Sequence, residues 1–184
     1  MHRLLRWTGR GLAGLVVGGA LAVWAFDLWV VRPQVARIQR VLVEAAPSER
    51  EPPAALRDML HRAYGDRIGG LLARNATFDA MRNGERMHPL RRMFTEAGIA
   101  KLLPHHLSDS QLESAYLASA YMGEGIHGFS AASERHLGIA LARVDQRQAA
   151  RLVALSFAPA SYLHSPRRLE QRVQVLLSGA RADP

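Results

Sequence analysis

The stretch from Gln111 to Gly138, QLESAYLASAYMGEGIHGFSAASERHLG, leaves this chain the least conformational choice. Ser108 stands where it can cap a helix, with Gln111 three residues later to close a capping box. Leu112, Tyr116, Leu117 and Tyr121 then recur at steps of three and four, which predicts one apolar helical face. Gly123, Gly125 and Gly128 lift the steric bar on positive φ, so the chain can reverse tightly after that helix. Ala131 and Ala132 open a second helix small enough to approach its neighbours, and Gly138 supplies its stop. A helical hairpin with a glycine-punctuated turn is the prediction.

Gly11 to Val31 is apolar except for Asp27, and at about 1.5 Å per residue it spans a hydrocarbon core of roughly 30 Å. Arg3, Arg6 and Arg10 precede it, and Trp7, Trp24 and Trp29 stand where interfacial rings belong. Ala20 and Ala22 offer the small-residue site of a cleaved signal peptide, but the apolar run continues to Val31, which favours a retained anchor. Arg32, Arg37 and Arg40 follow almost as densely, so basic residues alone do not orient the span. Gly14 and Gly18 form a small-xxx-small pair.

Val35 to Glu44 reads as a helical stalk, and Ala46 to Pro53 (APSEREPP) as a polar linker and the best domain boundary. From Ala54 onward helical spacing dominates and no apolar/polar alternation appears. The expectation is an all-α protein: residues 1–10 as an N-terminal tail, 11–31 as a transmembrane helix, 32–53 as stalk and linker, and 54–184 as a small helical domain of roughly six helices. Asp109, Asp145 and Ser165 are helix starts, and Gly98, Pro104 and Pro159 interruptions.

A length of 184 residues suits one modest domain plus an anchor. The absence of cysteine excludes disulfides, thiolate metal sites and Cys nucleophiles. Net charge is +8, and 23 of the 24 basic residues are arginine, Lys101 being the exception. Such an excess suits anionic partners, or reflects arginine-rich codon usage. No basic run interleaved with aromatics and no nucleic-acid motif is present, so nucleic acid is set aside.

The wording of the hairpin resembles a known family. Tyr116, Leu117, Tyr121, Gly123, Gly125, Gly128, Ala131, Ala132 and Gly138 match, without a gap, the peptidoglycan glycosyltransferases of glycosyltransferase family 51. These are the lysozyme-like chain-polymerising domains of class A penicillin-binding proteins and of monofunctional transglycosylases. The likeness continues through Ala149, Ala150 and Leu152, then Pro159, Tyr162 and Pro166, to Arg172-Val173-Gln174-Val175-Leu176. Upstream it runs to Arg92. It implies a lysozyme-like helical fold, a cytoplasmic N-terminus, and a single-pass protein of the bacterial inner membrane with its domain on the periplasmic side.

The family joins lipid-linked disaccharide units. One glutamate, in E-D-x-x-F, acts as general base on the acceptor hydroxyl. A second glutamate, in R-K-x-x-E, and nearby cations support the departing pyrophosphate, often with a divalent metal. Arg92-Met93-Phe94-Thr95-Glu96 occupies the second motif, so the resemblance implies a catalytic-site role for Glu96 and a substrate-binding role for Arg92, while Met93 stands where lysine is usual. On residue spacing alone, Arg92 and Glu96 also read as an ordinary surface ion pair. For the first motif, Asp66 fits the aspartate and leaves Gly65 at the base position. Gly69-Gly70 and Leu72-Ala73-Arg74-Asn75 resemble the two ends of the next family block with its middle removed. No Glu-Asp pair occurs anywhere in the chain.

Glu44 is an alternative base, close to the membrane. His105 and His106 adjoin Pro104 without a third ligand at metal spacing. His127 reads as a polar turn residue, Ala118 replaces a family asparagine, Gln148 with Asp145 forms a cap pair, and Ser130 lacks a His/Asp relay. No metal site and no resident cofactor is expected; a divalent cation is implied only for an active enzyme.

Two functions follow. One is a degenerate, membrane-anchored relative that binds lipid-linked peptidoglycan precursor or cell-wall synthesis proteins without polymerising. The other is a working glycosyltransferase with an unrecognised base. Leu71, Leu72, Met81 and Met87 are the candidates for apolar surface at the bilayer, or for core packing.

Overall fold

The computed structural model describes residues 15–82 and 84–179, with the side chains of Asp66 and Arg82 outside the description. The expectations placed on Arg3, Arg6, Trp7, Arg10 and Gly14 lie outside the described residues. The fold is all-α. Its one β feature among the described residues is an isolated bridge between Tyr121 and His127.

The first helix, α1, runs Leu15–Glu44 and is long and apolar enough to cross a membrane. Its described N-terminal part is unpacked: Leu15, Val16, Val17, Leu21, Val23 and Trp24 are all exposed. The helix then widens into a π-helical stretch at Asp27–Val31. From there it belongs to the body. Val31 is fully buried, and Phe26, Val30, Val35, Ile38 and Leu42 pack against the core. Val35, Ile38 and Leu42 fall at helical spacing, so they make one stripe, and that stripe lies on α6 (Asp109–Ser119).

The stalk and linker expected over 32–53 are therefore packed structure. The segment APSEREPP folds into a short helix, α2 (Pro47–Arg50), which sits against α6. The Ser114 hydroxyl donates to the Arg50 carbonyl at 3.2 Å. Polarity suggests a linker, but Ser48 and Glu49 find partners at Ser130 inside the fold, while Arg50 and Glu51 stay exposed.

The body continues with α3 (Ala54–Tyr64), α4 (Ile68–Arg82), α5 (Pro89–Leu102), α6, α7 (Phe129–Leu137), α8 (Gln146–Phe157), α9 (Pro159–Leu163) and α10 (Pro166–Leu177). That is eight described helices from Ala54 on, against the roughly six expected. Helices α4 and α5 pair, α8 lies between α3 and α10, and α6 is sandwiched by α1 and α4. Leu56, Met59, Leu60, Leu103, Leu117, Met122, Phe129, Leu152 and Val153 are buried in one continuous core.

The capping predictions are met atom by atom. Gln111 N donates to Ser108 Oγ at 3.3 Å while Ser108 N donates to Gln111 Oε1 at 2.9 Å. Asp145 and Gln148 make the same reciprocal pair, each bond at 2.8 Å. Ser165 precedes α10 without a side-chain cap bond. Pro104 lies in the 3-10 turn that follows α5, and Pro159 is the first residue of α9. Gly98 does not interrupt α5. Its missing side chain is a notch for the Phe26 ring of α1: a Cβ there would lie 2.6 Å from Phe26 Cε1.

Tyr121 is the other correction. Helix α6 stops at Ser119, so Tyr121 leaves the predicted apolar face and is 46% exposed. Met122 takes the buried position, held by its N–H donating to the Ile126 carbonyl at 2.9 Å, and Gly123 supplies φ +90 for the reversal.

Candidate functional site

Helix α4, the end of α6, the glycine turn and the end of α8 enclose a cleft of about 390 Å3. Arg74, Asn75, Phe78 and Asp79 come from α4, Tyr116 and Ser119 from α6, Tyr121 and His127 from the turn, and Ser156 and Phe157 from α8. The turn places His127 against Tyr121, their rings 5.3 Å apart.

The floor is rigid. Tyr116 Oη donates to Tyr64 Oη at 3.0 Å, and both hydroxyls lie within hydrogen-bond distance of Ser156 Oγ, at 2.8 Å from Tyr64 and 3.1 Å from Tyr116. Tyr64 stacks on Phe157 at 4.7 Å and meets Tyr116 edge-on at 5.4 Å. Burial pushes the Tyr64 phenol well above its ordinary range, the neighbouring Tyr116 adds to the rise, and burial likewise raises Tyr116. Both therefore stay neutral: they can donate hydrogen bonds, but at physiological pH neither is a phenolate base.

Glu96 lies outside this cleft. It sits on α5, where Oε1 accepts from Thr77 Oγ1 at 2.6 Å and pairs with Arg92 Nε at 3.2 Å. Thr77 is buried, and its single hydroxyl proton is shared with the Arg74 carbonyl at 2.9 Å. The Arg92 guanidinium lies 5.3 Å over the Phe78 ring. Arg92 and Glu96 are thus brought together as the four-residue spacing predicts, inside the α4–α5 contact. Thr77 and Asp79 are two residues apart on α4, about 200° around the helix. Glu96 and Asp79 therefore lie on opposite sides of α4.

The remaining candidates scatter. Gly65 ends α3 with φ +50 and opens a 3-10 turn, so the position where the resemblance calls for a base presents backbone only. Glu44 is exposed at the end of α1. His106 Nε2 contacts Asp27 Oδ1 at 2.6 Å, and Asp27 Oδ2 accepts from Arg32 Nε at 3.3 Å, which ties the apolar helix to the body. Ser130 Oγ pairs with Ser48 Oγ at 3.1 Å. Among the described residues no cluster of three or more metal-ligating side chains is found.

Two acids escaped the sequence reading. Asp79 had no signal beyond its place on a helix. Glu49 had one: it stands three residues after Ala46 with Pro47 between, the pattern of a helix N-terminus whose acid reaches back. Glu49 is 5% exposed, and its carboxylate accepts from Ala46 N at 3.2 Å and reaches across the chain to accept from Ser130 N at 2.9 Å. It thereby caps α7 from a segment 81 residues away. Gly128 must lack a side chain for this, since a Cβ would lie 2.9 Å from Glu49 Oε1.

The Transglycosylase family model matches residues 71–181, which include the cleft wall of α4, Arg92 and Glu96, the glycine turn and α8. The chain belongs to that family: it is a peptidoglycan glycosyltransferase-like protein with an N-terminal apolar helix. A search of curated proteins returns no match.

Proposed function

We propose that this protein is a non-catalytic transglycosylase relative, anchored in the bacterial cytoplasmic membrane with its domain on the outer face, that binds lipid-linked peptidoglycan precursor or cell-wall synthesis proteins. The observation that carries the reading is the placement of Glu96. Its carboxylate is engaged by Thr77 and Arg92 and does not line the cleft, the Arg92 guanidinium lying over the cleft residue Phe78. Transfer to an acceptor hydroxyl needs a base within about 3 Å of that oxygen and positive charge at the leaving group. Gly65 supplies no base, and Met93, exposed on α5, supplies no charge.

Membrane contact extends beyond α1 in this reading. The exposed large apolar side chains outside α1 gather mainly on α4 and α5: Phe78, Leu90, Met93 and Phe94. Phe94 and Met87 share a groove with Phe26, Trp29 and Val30 of α1. Leu72, one of the residues expected at the bilayer, is core instead, and Leu71 and Met81 are half-buried. Arg86 and Arg91, exposed beside the patch, suit an anionic lipid surface.

A second reading is an active glycosyltransferase, favoured by one observation: Asp79 lines the cleft. The test is incubation of the full chain in lipid nanodiscs with labelled lipid-linked disaccharide-peptide, for wild type, Glu96→Gln and Asp79→Asn. Binding without polymer in all three is the expected result. Polymer lost on Asp79→Asn establishes the second reading, and polymer lost on Glu96→Gln overturns the placement of Glu96 outside the chemistry. Neither binding nor polymer leaves docking on cell-wall proteins, which crosslinking in the membrane then reads.

A further inference from the structure

Where α1 crosses α4 and α6 it closes a recess of about 100 Å3. The floor is apolar, built from Ile38, Val41, Leu72, Ile99, Leu103 and Ala115. The rim is polar: Gln34 and Arg37 from α1, Asn75 and Asp79 from α4, and Ser119 from α6. Asn75, Asp79 and Ser119 also line the cleft, so the recess opens sideways from it. Among the described residues the side chains of Gln34, Arg37 and Asn75 make no hydrogen bond with protein. Three polar side chains thus surround the mouth of an apolar hollow without a protein partner among the described residues.

We propose that this recess is a ligand pocket for a small apolar group carried on a secondary amide, such as an N-acetyl or alanyl substituent, and that Gln34 and Arg37 of the anchor helix contact it. Size limits the occupant: a cavity of about 150 Å3 holds one benzene, so this one takes a handful of heavy atoms and not a lipid tail. Chemistry sets the head. The Gln34 and Asn75 amides each offer a donor and an acceptor, Arg37 only donors and the Asp79 carboxylate only acceptors. A secondary amide satisfies both kinds at once, its carbonyl accepting from Arg37 or Asn75 and its N–H donating to Asp79 or Gln34. An ammonium would face the Arg37 guanidinium as a like charge.

Part of the binding surface then comes from residues well before Leu71, where the family match begins. The anchor helix would be a wall of the site as well as a tether. This inference rests on reading the cleft as a binding site.

The test uses the full chain in nanodiscs with methyl-labelled isoleucine and leucine, followed by NMR. The probes are methyl 2-acetamido-2-deoxyglucoside, N-acetylalanine N-methylamide and, as control, methyl 2-amino-2-deoxyglucoside. The Ile99 and Leu72 methyls are expected to shift with an acetylated probe and not with the amine. Whichever acetylated probe moves them identifies the source, sugar or peptide. Ile38→Phe fills the hollow from a half-buried position and is expected to weaken that probe by about tenfold, the scale of one misplaced apolar group. Gln34→Leu is expected to weaken it with an unchanged Tm. Silent methyls, an equal response to the amine, or unchanged affinity in both variants overturns the pocket. Labelled lipid-linked precursor added to the same samples separates the two readings. Precursor bound with silent recess methyls overturns the pocket alone, and an amide response without precursor binding overturns the precursor-binding function alone.

Discussion

Replacing Glu49 tests how a polar segment ahead of the family match holds the glycine turn. The buried carboxylate accepts from Ala46 N at 3.2 Å and from Ser130 N at 2.9 Å. Hydrogen bonds to a charged group are worth about 1.5–3 kcal/mol each, and loss of a helix N-cap costs about 0.5–2 kcal/mol. These overlap at Ser130, whose N–H is both the charged-group donor and the capped amide, so they are not summed in full. Glu49→Ala also leaves both N–H groups without that acceptor in a poorly hydrated site. A loss of about 3 kcal/mol is expected, which at this chain length lowers Tm by roughly 6–12 °C. Glu49→Gln keeps an acceptor oxygen and loses the charge, so about 1 kcal/mol is expected.

The assay is thermal and denaturant unfolding of the full chain in detergent, with hydrogen exchange read at the Ser130 amide. Exchange at Ser130 should accelerate in Glu49→Ala far more than in Glu49→Gln. If both variants lose less than about 0.5 kcal/mol, or if Ser130 exchange is unchanged, the cross-chain cap does not hold α7 and the reasoning fails.

Two further outcomes follow from the packing and the buried hydroxyls. Gly98→Ala places a Cβ 2.6 Å from Phe26 Cε1, so a loss of about 1–3 kcal/mol is expected from overpacking. The double variant with Phe26→Leu should recover much of it, and additive costs would refute the notch. The number of tyrosines is 4, and spectrophotometric titration should show that Tyr64 and Tyr116 do not ionise while the fold persists. Because their folded pKa values are raised, their stabilising contribution is complete below about pH 10, the unfolded value, and declines as pH rises above it. Stability unchanged between about pH 9 and 11 would contradict the buried triad.

Much of the body was legible in the sequence because its signals are local. The Ser108–Gln111 and Asp145–Gln148 caps, the positive φ at Gly123, Gly125 and Gly128, and the left-handed stop at Gly138 each depend on a few neighbouring residues. The four-residue pairing of Arg92 with Glu96 was legible for the same reason. Tyr121 was misplaced because periodicity carries on past a helix end, whereas Ala120 leaves helical geometry and Met122 takes the core position. Gly98 was misread as a break because a glycine within a helix signals weakness until the ring that fills its notch is known. The helical stalk from Val35 to Glu44 is legible, but nothing local in APSEREPP reveals that Ser48 and Glu49 meet Ser130.

The sequence by itself determined the helical class, the apolar N-terminal helix, the hairpin around the glycine turn and the family, since these follow from spacing and backbone freedom along the chain. Only the tertiary structure decided that α1 forms a wall of the body, that Glu49 caps a helix 81 residues away, and that Glu96 and Asp79 lie on opposite sides of α4. The physical reason is one of range. Caps and turns are settled over a few bonds, but the face a carboxylate presents depends on helices that meet only when the core closes.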